Sequence, residues 1–202
     1  MKLTKIDVAE AHLITAVRAH FRCEHPASVY LLAASAREIL TTIGEKTGRR
    51  TMLAGIAETT GTPLKKLVGI AGEFANFFKH ADRDPSAKLE TFTVQDTEMV
   101  LYIACHDFFR IANGQPIELQ VYEAWCFATS FPQVSKAPLR VQPYVRKSIK
   151  LFPGIRAATT RAEQQHIGLA QLEKARDNPK FQMEIQREVV LPDELLSNKR
   201  GR

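Results

Sequence analysis

An all-α fold is predicted: an antiparallel helical bundle of five or six helices in residues 1–131, then a basic C-terminal extension in residues 132–202 with one amphipathic helix. Apolar residues recur at three- and four-residue spacing through the first 131 residues, the period of a helix with one buried face. Capping residues open those segments and Gly or Asn-Gly closes them. From Pro132 onward, Pro132, Pro138, Pro143 and Pro153 punctuate the chain too closely for one long helix.

The first helix runs from about Ile6 to Arg22. Asp7 and Glu10 stand at capping-box spacing, and Val8, Ala11, Leu13, Ile14, Val17 and Phe21 form its apolar face. The second begins at Pro26 and Ser28 and runs to about Lys46. Val29, Leu32, Ala33, Ala36, Ile39, Leu40 and Ile43 face the core, the run Ala33–Ala36 allows close helix packing, and Gly48 ends the helix. A short helix from Thr51 to about Thr60 leads into the central stretch, Thr62 to Pro85.

In that stretch Thr62 serves as cap and Pro63 as first helical residue, where its missing N–H costs nothing. Leu64, Leu67, Val68, Ala71, Phe74, Ala75 and Phe78 make one apolar stripe at 100° per residue. Gly69, Gly72, Glu73, Asn76 and His80 line the opposite side. Two glycines inside a helix cost roughly 1 kcal/mol each relative to alanine, so a close neighbour is expected there. The helix then breaks at Ala81-Asp82-Arg83-Asp84-Pro85, because the residue before proline avoids helical geometry. Thr93, with Asp96 three residues on, caps the next helix, which stops at Asn113-Gly114. A helix over about Pro116–Phe131 carries Leu119, Val121, Tyr122, Trp125, Phe127 and Ala128, and the last helix spans about Ile155–Arg176.

Length and composition narrow the function classes. A chain of 202 residues with 45% hydrophobic and 25% charged residues is ordinary for a globular protein. No apolar run reaches 18 residues and the N-terminus lacks a signal-peptide core, so a cytoplasmic location is expected, with no membrane contact. Cys23, Cys105 and Cys126 are scattered without a CxxC pair, which fits a reducing compartment and not a structural zinc site. P-loop, GxGxxG, GxSxG and HExxH motifs are absent, and no cofactor is expected. Charge is uneven: residues 1–131 hold 14 Lys+Arg against 15 Asp+Glu, and residues 132–202 hold 14 against 7. From Ala124 to Ala162 there are seven basic residues and no acidic one: Lys136, Arg140, Arg146, Lys147, Lys150, Arg156 and Arg161. Such a run reads as an electrostatic footprint for nucleic acid, the cations neutralising phosphates, or as a solvated arm packing on an acidic surface or a partner subunit. Arg140, Arg146, Lys147 and Lys150 are its candidate contacts.

The chemistry-bearing residues gather at the end of the central helix. His80 is the candidate catalytic base, since imidazole alone titrates near neutrality. Asn76 orients it or a phosphate, and Lys79 or Arg83 supplies charge to a phosphorane. Glu73, Asp82, Arg83 and Asp84 are candidate binding residues around them. Two other readings stay open. Asn76 and His80 can bond to a neighbouring helix while the aspartates order a turn, or His80, Asp82 and Asp84 can hold a divalent metal in a hydrolase. His106-Asp107, adjacent on a helix, point apart and form no relay.

The helix order over residues 5–130, with the segments PASVYLLAASAREIL and ANFFKHADRDP, resembles bacterial helical proteins of the HEPN superfamily. The resemblance implies an antiparallel, usually dimeric bundle. It also implies metal-independent RNA cleavage, or RNA binding, in defence or toxin–antitoxin systems. The family signature is an arginine, four to six residues, then a histidine. Asn76 and His80 match the polar residue and the histidine, and Ala75 stands where the family has its arginine. Arg161-x4-His166 and Arg18-x6-His25 also meet the spacing. A non-catalytic helical interaction module is the alternative function.

Overall fold

Helix ends are set by groups that satisfy the free N–H and C=O of the first and last turns. The computed structural model describes residues 2–80, 85–112, 114–131 and 133–178. Over these the chain is all-α, with nine α-helices and no strand among them. It divides into two compact units: Met1–His20 with Glu24–Gly114, and Phe21–Cys23 with the chain from Gln115 onward. The helix expected over Pro116–Phe131 is thus grouped with the basic segment.

In the first unit, α1 (Lys5–Phe21) opens on a reciprocal box. Thr4 Oγ1 accepts the Asp7 N–H at 3.1 Å and Asp7 Oδ2 accepts the Thr4 N–H at 2.7 Å. The partner of Asp7 is Thr4, one turn earlier than the expected Glu10. α2 (Pro26–Thr47) is opened by His25, whose Nδ1 accepts from the Ala27 N–H, and closed by Gly48 at φ +68°. α3 (Met52–Thr60) is capped by Thr51. α4 (Leu64–Ile70) and α5 (Glu73–Lys79) follow, then α6 (Val94–Ala112), which opens on the expected box of Thr93 and Asp96.

α2 and α6 run parallel. Thr97 Oγ1, early in α6, donates to the Pro26 carbonyl at 3.2 Å, and Arg49, just past α2, donates to the carbonyl of Ile111 near the end of α6. A parallel pair needs a crossover, which α3, α4 and α5 provide. Gly44 permits the close approach at the far end: a Cβ there would lie 2.8 Å from the Arg49 carbonyl oxygen and 3.3 Å from Ile111 Cδ1.

The expected single helix from Thr62 to His80 is two helices. Pro63, not Thr62, occupies the cap position of α4, with no side-chain cap bond. The chain breaks at Ala71-Gly72, and the cause lies in what the apolar stripe must reach. Leu64, Leu67 and Val68 pack with Leu53, Ala71 and Ile103. Phe74 and Phe78 pack instead with Tyr30 and Phe92, ring centroids 5.0–5.8 Å apart and edge to face. Each such pair contributes about 0.5–1.5 kcal/mol beyond its burial. One straight helix cannot serve both neighbours, and Gly72 is where bending costs least. With Ala75 N–H turned to Gly72, the Ala71 carbonyl loses its helical donor and accepts from Tyr30 Oη at 3.0 Å.

The second unit holds α7 (Ile117–Ser130), a 3-10 turn (Val134–Lys136), α8 (Gln142–Leu151) and α9 (Arg161–Asp177). The last helix starts six residues later than expected, because Thr160 and Glu163 form a complete capping box there. α7 and α9 run antiparallel. Trp125 Nε1, late in α7, donates to the Gln164 carbonyl at 2.8 Å, and Arg176 Nε, late in α9, lies 3.8 Å from Glu118 Oε1. Phe21 fills the space above Gly168, where a Cβ would come within 2.3 Å of its ring. The segment after Phe131 is therefore folded through α9, with Val145, Phe152, Ile155, Leu172 and Ala175 buried.

Candidate functional site

Two surfaces carry the residues expected from the sequence, one on each unit. On α5, at 100° per residue, Glu73, Asn76, Lys79 and His80 fall within about a 120° arc. Glu73, Asn76 and Lys79 are exposed and His80 is half-buried. Ala75, 1% exposed, faces inward. The expected line of Gly69, Gly72, Glu73, Asn76 and His80 does not survive the break at Ala71-Gly72. Gly69 has nothing within 4 Å of where its Cβ would stand, so the close neighbour expected there is absent among the described residues.

His80 closes α5. Its φ of −119° and ψ of 66° leave the helix, and its N–H donates to the Asn76 carbonyl at 3.1 Å. The two residues are thus tied through the backbone one turn apart. Lys79 Nζ lies 3.8 Å from Glu38 Oε1 of α2, a solvent-exposed ion pair worth at most about 1 kcal/mol. That pairing draws the ammonium toward α2. Asp82, Arg83 and Asp84 lie outside the described residues.

α8 carries the cations. Arg146, Lys147 and Lys150 are exposed while Val145 and Ser148 of the same helix are buried. Spacings of one, three and four residues put the three cations on one side, and the helix has no acidic residue. Arg146 Nη2 donates to Gln142 Oε1 at 3.3 Å, and Arg140 is exposed in the preceding turn. Two members of the basic run serve the fold. Arg156 donates to the Phe131 carbonyl, and its partial burial lowers its pKa. Arg161 lies 4.3 Å over the Trp125 ring and donates to Gln164 Oε1 at 2.6 Å.

Other sequence candidates have structural roles. His25 caps α2. His166 Nε2 lies 3.8 Å from Cys23 Sγ, which donates to Gln165 Oε1 at 3.4 Å. Burial raises the Cys23 thiol pKa. Cys23, at φ +57°, and His166 are 143 positions apart, beyond any local sequence signal. His106 stacks on Tyr102, and Asp107 Oδ1 accepts the Met52 N–H at 2.6 Å, so the pair forms no relay.

Sequence reasoning missed a buried polar group on α2 and α6. Arg37 is 1% exposed, Thr41 9% and Asp107 0%. One signal was available: Arg37 falls within the apolar face set by Ala33, Ala36 and Leu40, where a charge is out of place. Desolvation, the largest influence, lowers the Arg37 pKa and pushes the Asp107 carboxyl up to about 6.

Comparison of the chain with protein-family models, with curated proteins and with solved structures gives no match.

Proposed function

We propose that the chain is a HEPN-like RNA-binding protein that acts as a cytoplasmic homodimer in bacterial defence or toxin–antitoxin function. In the fuller form of this reading it cleaves RNA without a metal. The observation that carries it is the cationic side of α8. Arg146, Lys147 and Lys150 are exposed on a helix without a carboxylate, with Arg140 in the turn before it. Cations so arranged take phosphates by displacing condensed counterions, and the binding is read as salt dependence.

The cleavage form rests on α5. Attack of a ribose 2′-hydroxyl on its own phosphate needs a base, an acid and a cation near the developing charge. His80 supplies the base, Asn76 orients the phosphate or the imidazole, and Lys79 or Arg83 supplies the cation. Ala75 is buried where the family's arginine stands, so the cation of this site is left to Lys79 or Arg83.

The test uses a labelled RNA pool and the full chain. Replacing Arg146, Lys147 and Lys150 together by Gln is expected to weaken binding at low salt and to make the log–log salt slope shallower by about 2, at roughly 0.7 per phosphate contact on single strands. An unchanged slope refutes the α8 interface. Cleavage that resists EDTA and disappears in His80→Ala, at equal helicity by circular dichroism, supports the catalytic form; no cleavage by wild type ends it.

One observation favours the interaction-module reading. Ile70 and Phe77 are 52% and 39% exposed, on the helices either side of the Ala71-Gly72 break. If these exposed side chains dock a protein, Ile70→Ser with Phe77→Ser lowers the assembled mass in light scattering and leaves RNA affinity unchanged.

A further inference from the structure

Arg37 of α2 is a buried charge with unmet hydrogen-bonding capacity. Its side chain is almost fully buried, yet neither Nε nor Nη1 reaches an acceptor. A guanidinium keeps its charge in any protein interior, and it offers five donors in a rigid fork. Buried charges are ordinarily paired, because a cation taken from water without a partner loses its whole hydration.

Its surroundings are unsatisfied as well. Thr41, one turn further along α2, has a buried hydroxyl without a partner, and Asp107 of α6 has Oδ2 without one. Because Thr97 meets Pro26 at one end of the parallel pair and Ile111 meets Gly44 at the other, Asp107 falls at the level of Arg37 and Thr41. Asp107 does not close the gap: its Oδ1 is taken by the Met52 N–H, which ties it to the start of α3. Above Arg37 lies the break between α4 and α5. Gly72 is half-exposed, and a Cβ on it would stand 3.2 Å from Arg37 Nη2. The end of the fork therefore sits directly beneath a residue that has no side chain to cover it.

We propose that Arg37 and Thr41 form a binding site for a small oxyanion, a phosphate or carboxylate, entered past Gly72. The fork donates to two oxygens of the anion and Thr41 Oγ1 donates to one of them, so the ligand supplies the acceptors that the chain does not. Asp107 tunes the site. Ionised, it opposes the anion; protonated, it donates from Oδ2. The charged or polar groups facing it are Arg37 of α2, the Met52 N–H of α3, and His106 and Arg110 of its own helix. Anion binding is thus coupled to proton uptake and tightens as pH falls from 7 toward 5.

The test is calorimetric titration of the full chain with inorganic phosphate, acetate and a ribonucleoside 5′-monophosphate, against chloride at equal ionic strength. One equivalent of phosphate is expected, with affinity rising at lower pH. Uptake of the nucleotide but not of free phosphate assigns the anion to a nucleotide, and the reverse assigns it to a free ion. Arg37→Met is expected to bind at least tenfold more weakly. Gly72→Ala, whose methyl crowds Nη2, is expected to bind several-fold more weakly and decides the matter if Arg37→Met fails to fold. The Gln variant of Arg146, Lys147 and Lys150 keeps this uptake, which separates the site from the RNA reading. No difference between the oxyanions and chloride overturns the proposal. So does uptake unchanged in both the Arg37 and Gly72 variants.

Discussion

The α2–α6 and α7–α9 interfaces both bury polar and charged groups, and they treat them differently. On α7 and α9 the tryptophan and the charged groups find partners, although Gln120 Oε1 and Gln171 Oε1 are buried without one. Trp125 donates to the Gln164 carbonyl, Arg161 lies over the Trp125 ring, and Arg176 faces Glu118. Between α2 and α6, Arg37, Thr41 and Asp107 each keep a buried atom without a partner. A satisfied network specifies packing, and an unsatisfied one costs stability. The comparison teaches that burial alone does not mark a functional group. The proposed anion site rests on more than burial: a permanent charge with unmet donors, beneath a glycine.

The largest expected effect breaks the α7–α9 side. Trp125 is fully buried, with Phe21 and Tyr122 rings 5.6 and 5.8 Å away. Trp125→Ala removes that packing and leaves Arg161 without its ring, at a cost of about 3–5 kcal/mol in urea unfolding. A loss below about 1 kcal/mol would mean that this interface is not the anchor of its unit.

The next effect sharpens the unsatisfied side. Burial raises Asp107 from the ordinary carboxylate range to about 6. The folded state then binds the proton more tightly than the unfolded chain, whose carboxyl titrates near 3.9. Ionised Asp107 opposes folding in full above about pH 6, and the penalty is relieved as pH falls toward 4. The difference in stability between wild type and Asp107→Asn is expected to shift by at most about 3 kcal/mol over that window, wild type gaining in acid. A flat difference between pH 7 and 4 would show that the carboxylate is ionised and paired.

The smallest effect contrasts two glycines three residues apart. Gly69 lies within α4 and faces open space, whereas Gly72 faces Arg37. Gly69→Ala is expected to raise stability by about 0.5–1 kcal/mol through helix propensity. Gly72→Ala is expected to gain less or to lose, and equal gains would mean that Arg37 moves aside freely.

The polar residues of α5 and the cations of α8 were legible because both depend on local spacing. The Thr93–Asp96 cap and the stop at Gly48 were legible for the same reason. The break at Ala71-Gly72 was not. Its stripe reads as one continuous helix, and only the separate positions of Leu53 and Tyr30 force the bend. α8 was hidden by Pro143, which the chain uses at a helix start. Thr4 and Asp7 cap α1, although Asp7 and Glu10 offer the same spacing three residues later.

By itself the sequence determined the all-α class, most of the helices and the uneven charge, since each follows from periodicity, capping and composition within a few turns of chain. Tertiary structure decided which helices run parallel, where the central stretch bends, and that Arg37, Thr41 and Asp107 share one level. Those facts depend on registers between helices about 70 residues apart. No local propensity encodes such a register; it follows from which side chains fit against one another once the helices meet.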